Sequence, residues 1–410
     1  MQRHTRIKYN TAINQYELSS NYTVTVIFII KMAFIKKATA VFRLHPDYKK
    51  RVFGLDLMRA IAIIIVVLDH GILLEKANTN FPWIPLINGV ELFFVLSGFL
   101  IGGILLKIFR NNPSFGLGTI VKFWIRRWFR TLPNYYLVLL LNIIVVYFGI
   151  IKEDFSQFNW KFFLFLQNFY SHFTGFFWES WSLSIEEWFY LLFPLILGLA
   201  FFIMKRFHIQ KKNIYLSAIF IFLLIPFLLR VFIASRMDVD EFWLEVKIYK
   251  VVIYRIDSIA LGLFAAYINF YYPVFWYKIR NISFVSGILI SYLILYTSWD
   301  PNACFTKVFL IFLQSIGCLL LLPKFESIKK APPTLLKIVT HISLISYSMY
   351  LLNLALVAEV IKTNFPPHGP RTAWALYGIY WITVLAFSTL LFKYFEKPMM
   401  DVRDKWKKDC

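Results

Sequence analysis

Residues 86–106 read LINGVELFFVLSGFLIGGILL, an apolar run holding one ionisable side chain, Glu91. At 1.5 Å per residue a helix over this stretch covers a hydrocarbon core of about 30 Å. Similar runs recur at 55–74, 132–151, 187–204, 214–234, 248–270, 282–298, 305–322, 339–361 and 374–393. The pattern predicts an all-α integral membrane protein with about ten transmembrane helices in one bundle. Composition agrees: 59% of the residues are hydrophobic, 16% are charged, and mean hydropathy is +0.61. A soluble chain carries about 25% charged residues.

The formal net charge is +21. No aromatic-interleaved basic repeat or nucleic-acid motif accompanies it, so the excess reads as Lys/Arg-rich cytoplasmic loops. Residues 107–130 read as such a loop, with Lys107, Arg110, Lys122, Arg126, Arg127 and Arg130 and no acid. Lys205, Arg206, Lys211 and Lys212 mark the next, followed by Lys278 with Arg280, and then Lys324, Lys329, Lys330 and Lys337. The intervening connections, 75–85, 152–186 and 235–247, are balanced or acidic. This alternation places both termini in the cytoplasm. The aromatic stretch 158–178 is compatible with a re-entrant segment, which needs protein around it.

Residues 1–50 read as an N-terminal extension, 51–398 as the transmembrane domain and 399–410 as a cytoplasmic tail. The apolar run Val24–Ile30 is too short to span and lacks a following small-residue cleavage site. It reads either as an amphipathic surface segment or as sequence upstream of a true start at Met32. Cys304, Cys318 and Cys410 show no metal-ligand spacing and read as structural. No metal site is expected.

Ionisable residues inside spans are costly and so point to function. In the first span, Arg59 and His70 are eleven positions apart. That returns them to within about 20° of one face, roughly 16 Å apart along the axis. A guanidinium suits phosphate or carboxylate, and an imidazole suits general-base work near neutral pH. A snorkelling Arg59 and an interfacial His70 would leave the same pattern. Glu91, near the outer end of the second span, stands at a depth where it either orients the imidazole or is simply interfacial. Ser97 and the glycines around it read as helix-packing residues. Arg126 and Arg130, at i,i+4, make a paired guanidinium face suited to phosphates or to lipid headgroups. Residues 178–190, WESWSLSIEEWFY, place Trp181, Ser182, Glu186 and Glu187 at the outer edge of the fourth span, where aromatics alone would serve an interfacial belt. Arg255 and Asp257 are i,i+2, so each is expected to pair with another helix.

Taken together, these segments resemble acyltransferase family 3, the membrane proteins that O-acylate cell-surface polysaccharides. The resemblance covers most of residues 50–400. It rests on GLDLMRAIAIIIVVLDH (54–70), GVELFFVLSGFLIGG (89–103), RRWFRTLPNYY (126–136), WSLSIEEWFYLLFP (181–194), YRIDSIALG (254–262) and ISYSMYLLN (345–353), in that order. It implies transfer of an acyl group, usually acetyl, from a coenzyme A thioester. The acceptor would be a hydroxyl of O-antigen, exopolysaccharide, peptidoglycan, another glycan or a macrolide-type small molecule. Acetyl-CoA or another acyl-CoA would be a co-substrate, with no tightly bound cofactor. Carried over by motif, Arg59 and His70 form the catalytic pair, supported by Glu186 and Glu187 in acid–base or acceptor roles. Arg126, Arg127 and Arg130 would hold coenzyme A phosphates, and Glu91, Trp181, Ser182, Arg255 and Asp257 would bind substrate or support the site.

Two positions depart from the pattern. Asn353 stands where many relatives have His, and Trp188 where many have Gln, which puts the roles of both in doubt. The chain stops soon after Pro398, so the extracytoplasmic hydrolase-like domain of some relatives is not expected. His70 would either deprotonate the acceptor hydroxyl or carry the acyl group covalently. The expected setting is the cell inner membrane, with the lipid bilayer, acyl-CoA and a hydroxyl acceptor as partners. A transporter or flippase, or a membrane assembly protein, would also place polar residues inside spans. Neither accounts for the ordered motif set.

Overall fold

Repeated apolar runs bounded by charged or Pro/Gly-containing connections fold here as long helices. A computed structural model describes residues 44, 46–74, 87–112, 114–173 and 175–406. The proposed start at Met32, the Val24–Ile30 run, the 75–85 connection and Cys410 lie outside the described residues. The helices all belong to the unit spanning residues 47–410.

Among the described residues, eight helices are long and apolar enough to cross a membrane. Numbered with two others in chain order, they are α2 (Gly89–Asn111), α3 (Leu117–Tyr147), α4 (Ser180–Lys205), α5 (Lys211–Ala234), α6 (Val252–Tyr271), α8 (Thr306–Ser327), α9 (Pro333–Asn364) and α10 (Pro370–Arg403). The others are α1 (Phe53–Gly71), which carries Asp56, Arg59 and Asp69, and α7 (Arg280–Tyr296), which is apolar but shorter. No strand occurs among the described residues. The chain is a multi-pass, all-α membrane protein.

The positions of several boundaries correct the sequence reading. The arginine-rich stretch 107–130 is not one loop. α2 runs on to Asn111, and α3 starts at Leu117, a full fifteen residues before the expected 132, so Arg126, Arg127 and Arg130 sit on a helix. Hydropathy marks only the part of a helix that lipid can cover. A basic amphipathic first half is invisible to it. The 158–178 stretch forms short 3₁₀ turns and bends, with Phe162, Phe176 and Phe177 buried, and no spanning helix. The expected tail continues the last helix as far as Trp406.

The centre of the bundle is the crossing of α2 and α6. A Cβ on Gly98 would lie 2.0 Å from the Ile259 carbonyl oxygen, and one on Gly262 would lie 2.2 Å from that of Val95. The two backbones therefore touch, as small residues permit between membrane helices. Gly102 meets Leu263 and Ala266 of α6, but Gly103 faces open space, and Ser97 lines a cavity where it bonds Glu186 of α4.

Two buried ion pairs lock this centre. Glu91, fully buried, pairs with Arg255 and accepts from Ser315 Oγ. Asp257 pairs with Arg230 at 2.6 Å, and Arg230 also donates to the Val308 and Tyr254 carbonyls. Arg255 and Asp257 thus pair with other helices, as their i,i+2 spacing predicts. Glu91 does not orient His70; its charge is used by Arg255. Of the described cysteines, Cys318 is buried and Cys304 exposed, and both are free.

Candidate active site

Arg59 and His70 share one face of α1, and that face meets α9. The Arg59 guanidinium donates to Ser343 Oγ at 3.3 Å and lies 3.6 Å from Asp56, which also takes a two-point contact from Arg51. His70 Nδ1 lies 2.5 Å from Asn353 Oδ1. An eleven-residue interval on α1 is thus matched by the ten residues from Ser343 to Asn353 on α9.

The Asn353 amide settles the imidazole tautomer. Its Nδ2 donates to the Met349 and Tyr350 carbonyls, both at 2.8 Å, so Oδ1 is the atom turned to His70. An amide oxygen can only accept, which makes Nδ1 the protonated nitrogen. In the neutral ring Nε2 keeps its lone pair. Asn353 also opens a π-helical stretch, Asn353–Glu359, a distortion frequent at functional sites.

Beside this face lies a cavity of about 520 Å³. Arg59, Arg127, Arg130 and Lys107 supply positive charge to its wall, and Glu186 is its acid. Ser97 Oγ donates to Glu186 at 2.8 Å, and Ser182 and Tyr350 share a hydrogen bond of 2.6 Å on the same wall. Among the described residues Arg127 and Arg130 make no salt bridge within 4 Å. Clustered cations beside lipid are costly unless an anion joins them. The chemistry of this wall is that of a phosphate or carboxylate site.

Several expected residues fall elsewhere. Arg126 is exposed and absent from the wall. The arginines of α3 that reach the wall are Arg127 and Arg130, at i,i+3, rather than Arg126 and Arg130. Glu187, one position after Glu186, does not line the cavity, and its Oε2 has no hydrogen-bond partner. His70 does not line the cavity but stands next to it, through Asn353 and Tyr350. Trp181 and Arg255 line a different cavity, and Glu91 and Asp257 are held in the ion pairs of the core. Trp188 donates from Nε1 to the Phe165 carbonyl at 2.9 Å and packs on Phe169, a structural role for that departure.

A family model described as an acyltransferase domain matches residues 52–393. The chain belongs to acyltransferase family 3. It is 35% identical over 178 residues to a protein of Staphylococcus aureus (strain COL) provisionally named an O-acetyltransferase, covering 40% of this chain and 28% of that one. To the peptidoglycan O-acetyltransferase OatA of Listeria monocytogenes it is 36% identical over 166 residues, 36% of this chain and 24% of the relative. A Bacillus subtilis protein provisionally named a peptidoglycan O-acetyltransferase is 34% identical over 168 residues, 37% and 24% of the two chains. The matched stretch thus spans about a quarter of the length of these relatives. No solved structure matches the chain.

Sequence reasoning missed Asp56, Ser97, Lys107, Ser343 and Tyr350 as parts of the site. For Asp56, Ser97 and Tyr350 a signal existed, since all three lie inside the family motifs. For Ser343 the partner is hundreds of positions away, and nothing local marks it.

Proposed function

We propose that this protein is a membrane O-acyltransferase. It would move an acetyl group from acetyl-CoA to a hydroxyl of a cell-surface glycan, working in the inner membrane with its arginine end in the cytoplasm. The observation that carries the reading is the convergence of Arg59, Arg127 and Arg130 on one cavity that runs to Ser182 and Tyr350, beside the His70–Asn353 pair. The guanidiniums and Lys107 hold the donor's phosphates by charge-assisted hydrogen bonds. The acyl end of the donor then points along the cavity toward His70. Names of relatives that include peptidoglycan O-acetyltransferase support a glycan as acceptor.

In the chemical step the acceptor hydroxyl oxygen attacks the thioester carbonyl carbon. A C–O bond forms, the C–S bond breaks, and the electron pair leaves on sulfur. His70 Nε2 takes the hydroxyl proton and returns it to the thiolate. Asn353 holds Nδ1 throughout, so the ring stays in the tautomer the step needs. General-base assistance of this kind contributes about 10²–10⁴-fold.

The test is alkali-released acetate from surface glycans of a deletion strain complemented with wild type or His70→Ala. Membrane abundance of both proteins is measured in the same cells. Wild type is expected to restore the acetate, and the variant to fall by a factor in that range. Equal acetate from both would remove His70 from the mechanism. No acetate from wild type on any glycan would remove the transferase reading.

A further inference from the structure

A second cavity, of about 580 Å³, lies at the other end of the bundle from Arg59 and Arg127. It sits among the N-terminal ends of α2, α4 and α8, the C-terminal end of α7, and the α5–α6 connection. Its size falls in the range of small-molecule sites, about 300–1,000 Å³. The two cavities share a thin wall. Ser182 lines the first and its neighbour Trp181 the second, while Val90 lines the first and Asn88 the second. Between them Phe94 meets Trp181 edge to face, with ring centroids 5.9 Å apart. The Arg255 guanidinium, 5.5 Å from the Phe94 ring centroid, backs this wall.

The charges on the second cavity nearly cancel. Arg255 is consumed by buried Glu91, and Lys250 by Glu245 at 3.0 Å. Glu241 remains, so the lining offers nothing for an anion. What it offers is aromatic surface from Trp181, Tyr249 and Trp299, together with neutral polar groups. Asn88 uses Oδ1 to cap α2, accepting from the Val90 and Glu91 amides at 2.9 and 3.1 Å, which leaves the Nδ2 donors for another partner. Thr306 is 2% exposed, and its Oγ1 has no hydrogen-bond partner. Aromatic faces beside amides, a hydroxyl and one carboxylate suit the C–H faces and hydroxyls of a sugar.

We propose that this second cavity is the acceptor site and takes an uncharged sugar residue of the acceptor glycan. The proposal rests on the transferase reading above. A hydroxyl of a sugar seated against Trp181 lies across the Phe94–Trp181 wall from the donor cavity. Donor and acceptor therefore approach from opposite ends, and transfer requires the Phe94–Trp181 contact to part so that the hydroxyl reaches the thioester carbon.

The experiment separates the two cavities. Ser298 lines the second one and is exposed, so Ser298→Trp fills it without disturbing the core. Trp299→Phe and Glu241→Gln alter its wall, and Ser298→Ala is the control. Acetate on surface glycans of complemented cells reads transfer. Acetyl-CoA titration into purified protein in detergent reads the donor site. The expected result is at least a tenfold loss of transfer for Ser298→Trp and a smaller loss for the other two wall variants. Acetyl-CoA affinity should stay within twofold of wild type, and Ser298→Ala should match wild type throughout. Wild-type transfer by Ser298→Trp overturns the acceptor site while leaving the transferase reading standing. Equal loss of acetyl-CoA affinity also overturns it, because the cavity would then belong to the donor. No transfer by wild type overturns both.

Discussion

At the scale of single residues, the site works by fixing groups that would otherwise rotate. Asn353 is held by two backbone carbonyls and in turn holds His70 Nδ1. Arg59 is held by Asp56 and Ser343. Asn353→Ala removes the acceptor at Nδ1 and frees the ring to rotate or to switch tautomer. Loss of the hydrogen-bond partner that orients a metal-ligating imidazole costs about 10–100-fold, and the same orienting role is assigned to Asn353 here. A fall of that size in the transfer rate is expected, with acetyl-CoA affinity unchanged because Asn353 lies outside the arginine wall. Unchanged transfer would show that the ring is oriented by something else. The chain's departure from the usual His at this position thus leaves a working partner in place. Sequence could mark the departure but not the partner, because His70 and Asn353 are 283 positions apart.

At the scale of elements, the α2–α6 crossing decides where the cavity wall stands. Ser97 faces the cavity, and Gly98, the next residue, faces the Ile259 carbonyl. Consecutive helix positions differ by about 100°, so one side of α2 packs while the adjoining side presents chemistry. Gly98→Ala would place a carbon against backbone, which cannot yield as a flexible side chain can. Overpacking of this kind costs about 1–3 kcal/mol. A lower thermal midpoint and a poorer yield of monodisperse protein are expected in detergent. Gly103→Ala meets nothing within 4 Å and should match wild type. Similar behaviour of the two variants would mean that the backbones do not meet there. The GxxxGG-like run was legible as packing in general. Which glycine packs, and that Ser97 does not, depends on helix rotation, which a run apolar on most sides leaves open.

For the whole molecule, stability should depend on pH through the connection between α3 and α4. Burial raises the Glu153 carboxyl to about 7; the Phe177 N–H it accepts opposes the shift, and the Glu359 charge adds to it. Between about 4.5, the ordinary value, and about 7, the folded chain holds a proton that the unfolded chain has released. The stabilisation is fully present below that window and is lost as pH rises through it. Glu153→Gln stays neutral, so the fall in its thermal midpoint from pH 5 to pH 8 should be shallower than that of wild type. Parallel curves would mean that the carboxyl is already ionised in the folded state.

The sequence by itself determined the class of this protein. Runs of apolar residues long enough for a bilayer can satisfy their backbone only as helices, whatever packs beside them. It also determined the family, through six short motifs in order, and with it the residues worth testing. Only the tertiary structure decided which of those residues meet. It placed Arg59, Arg127, Arg130 and Glu186 on one cavity, left Arg126 and Glu187 off its wall, and assigned Glu91 to Arg255 rather than to His70. Those outcomes depend on the rotation of each helix about its own axis and on contacts between distant segments. Hydrophobicity fixes where a helix lies along the bilayer normal, but helix rotation is fixed by packing against neighbours.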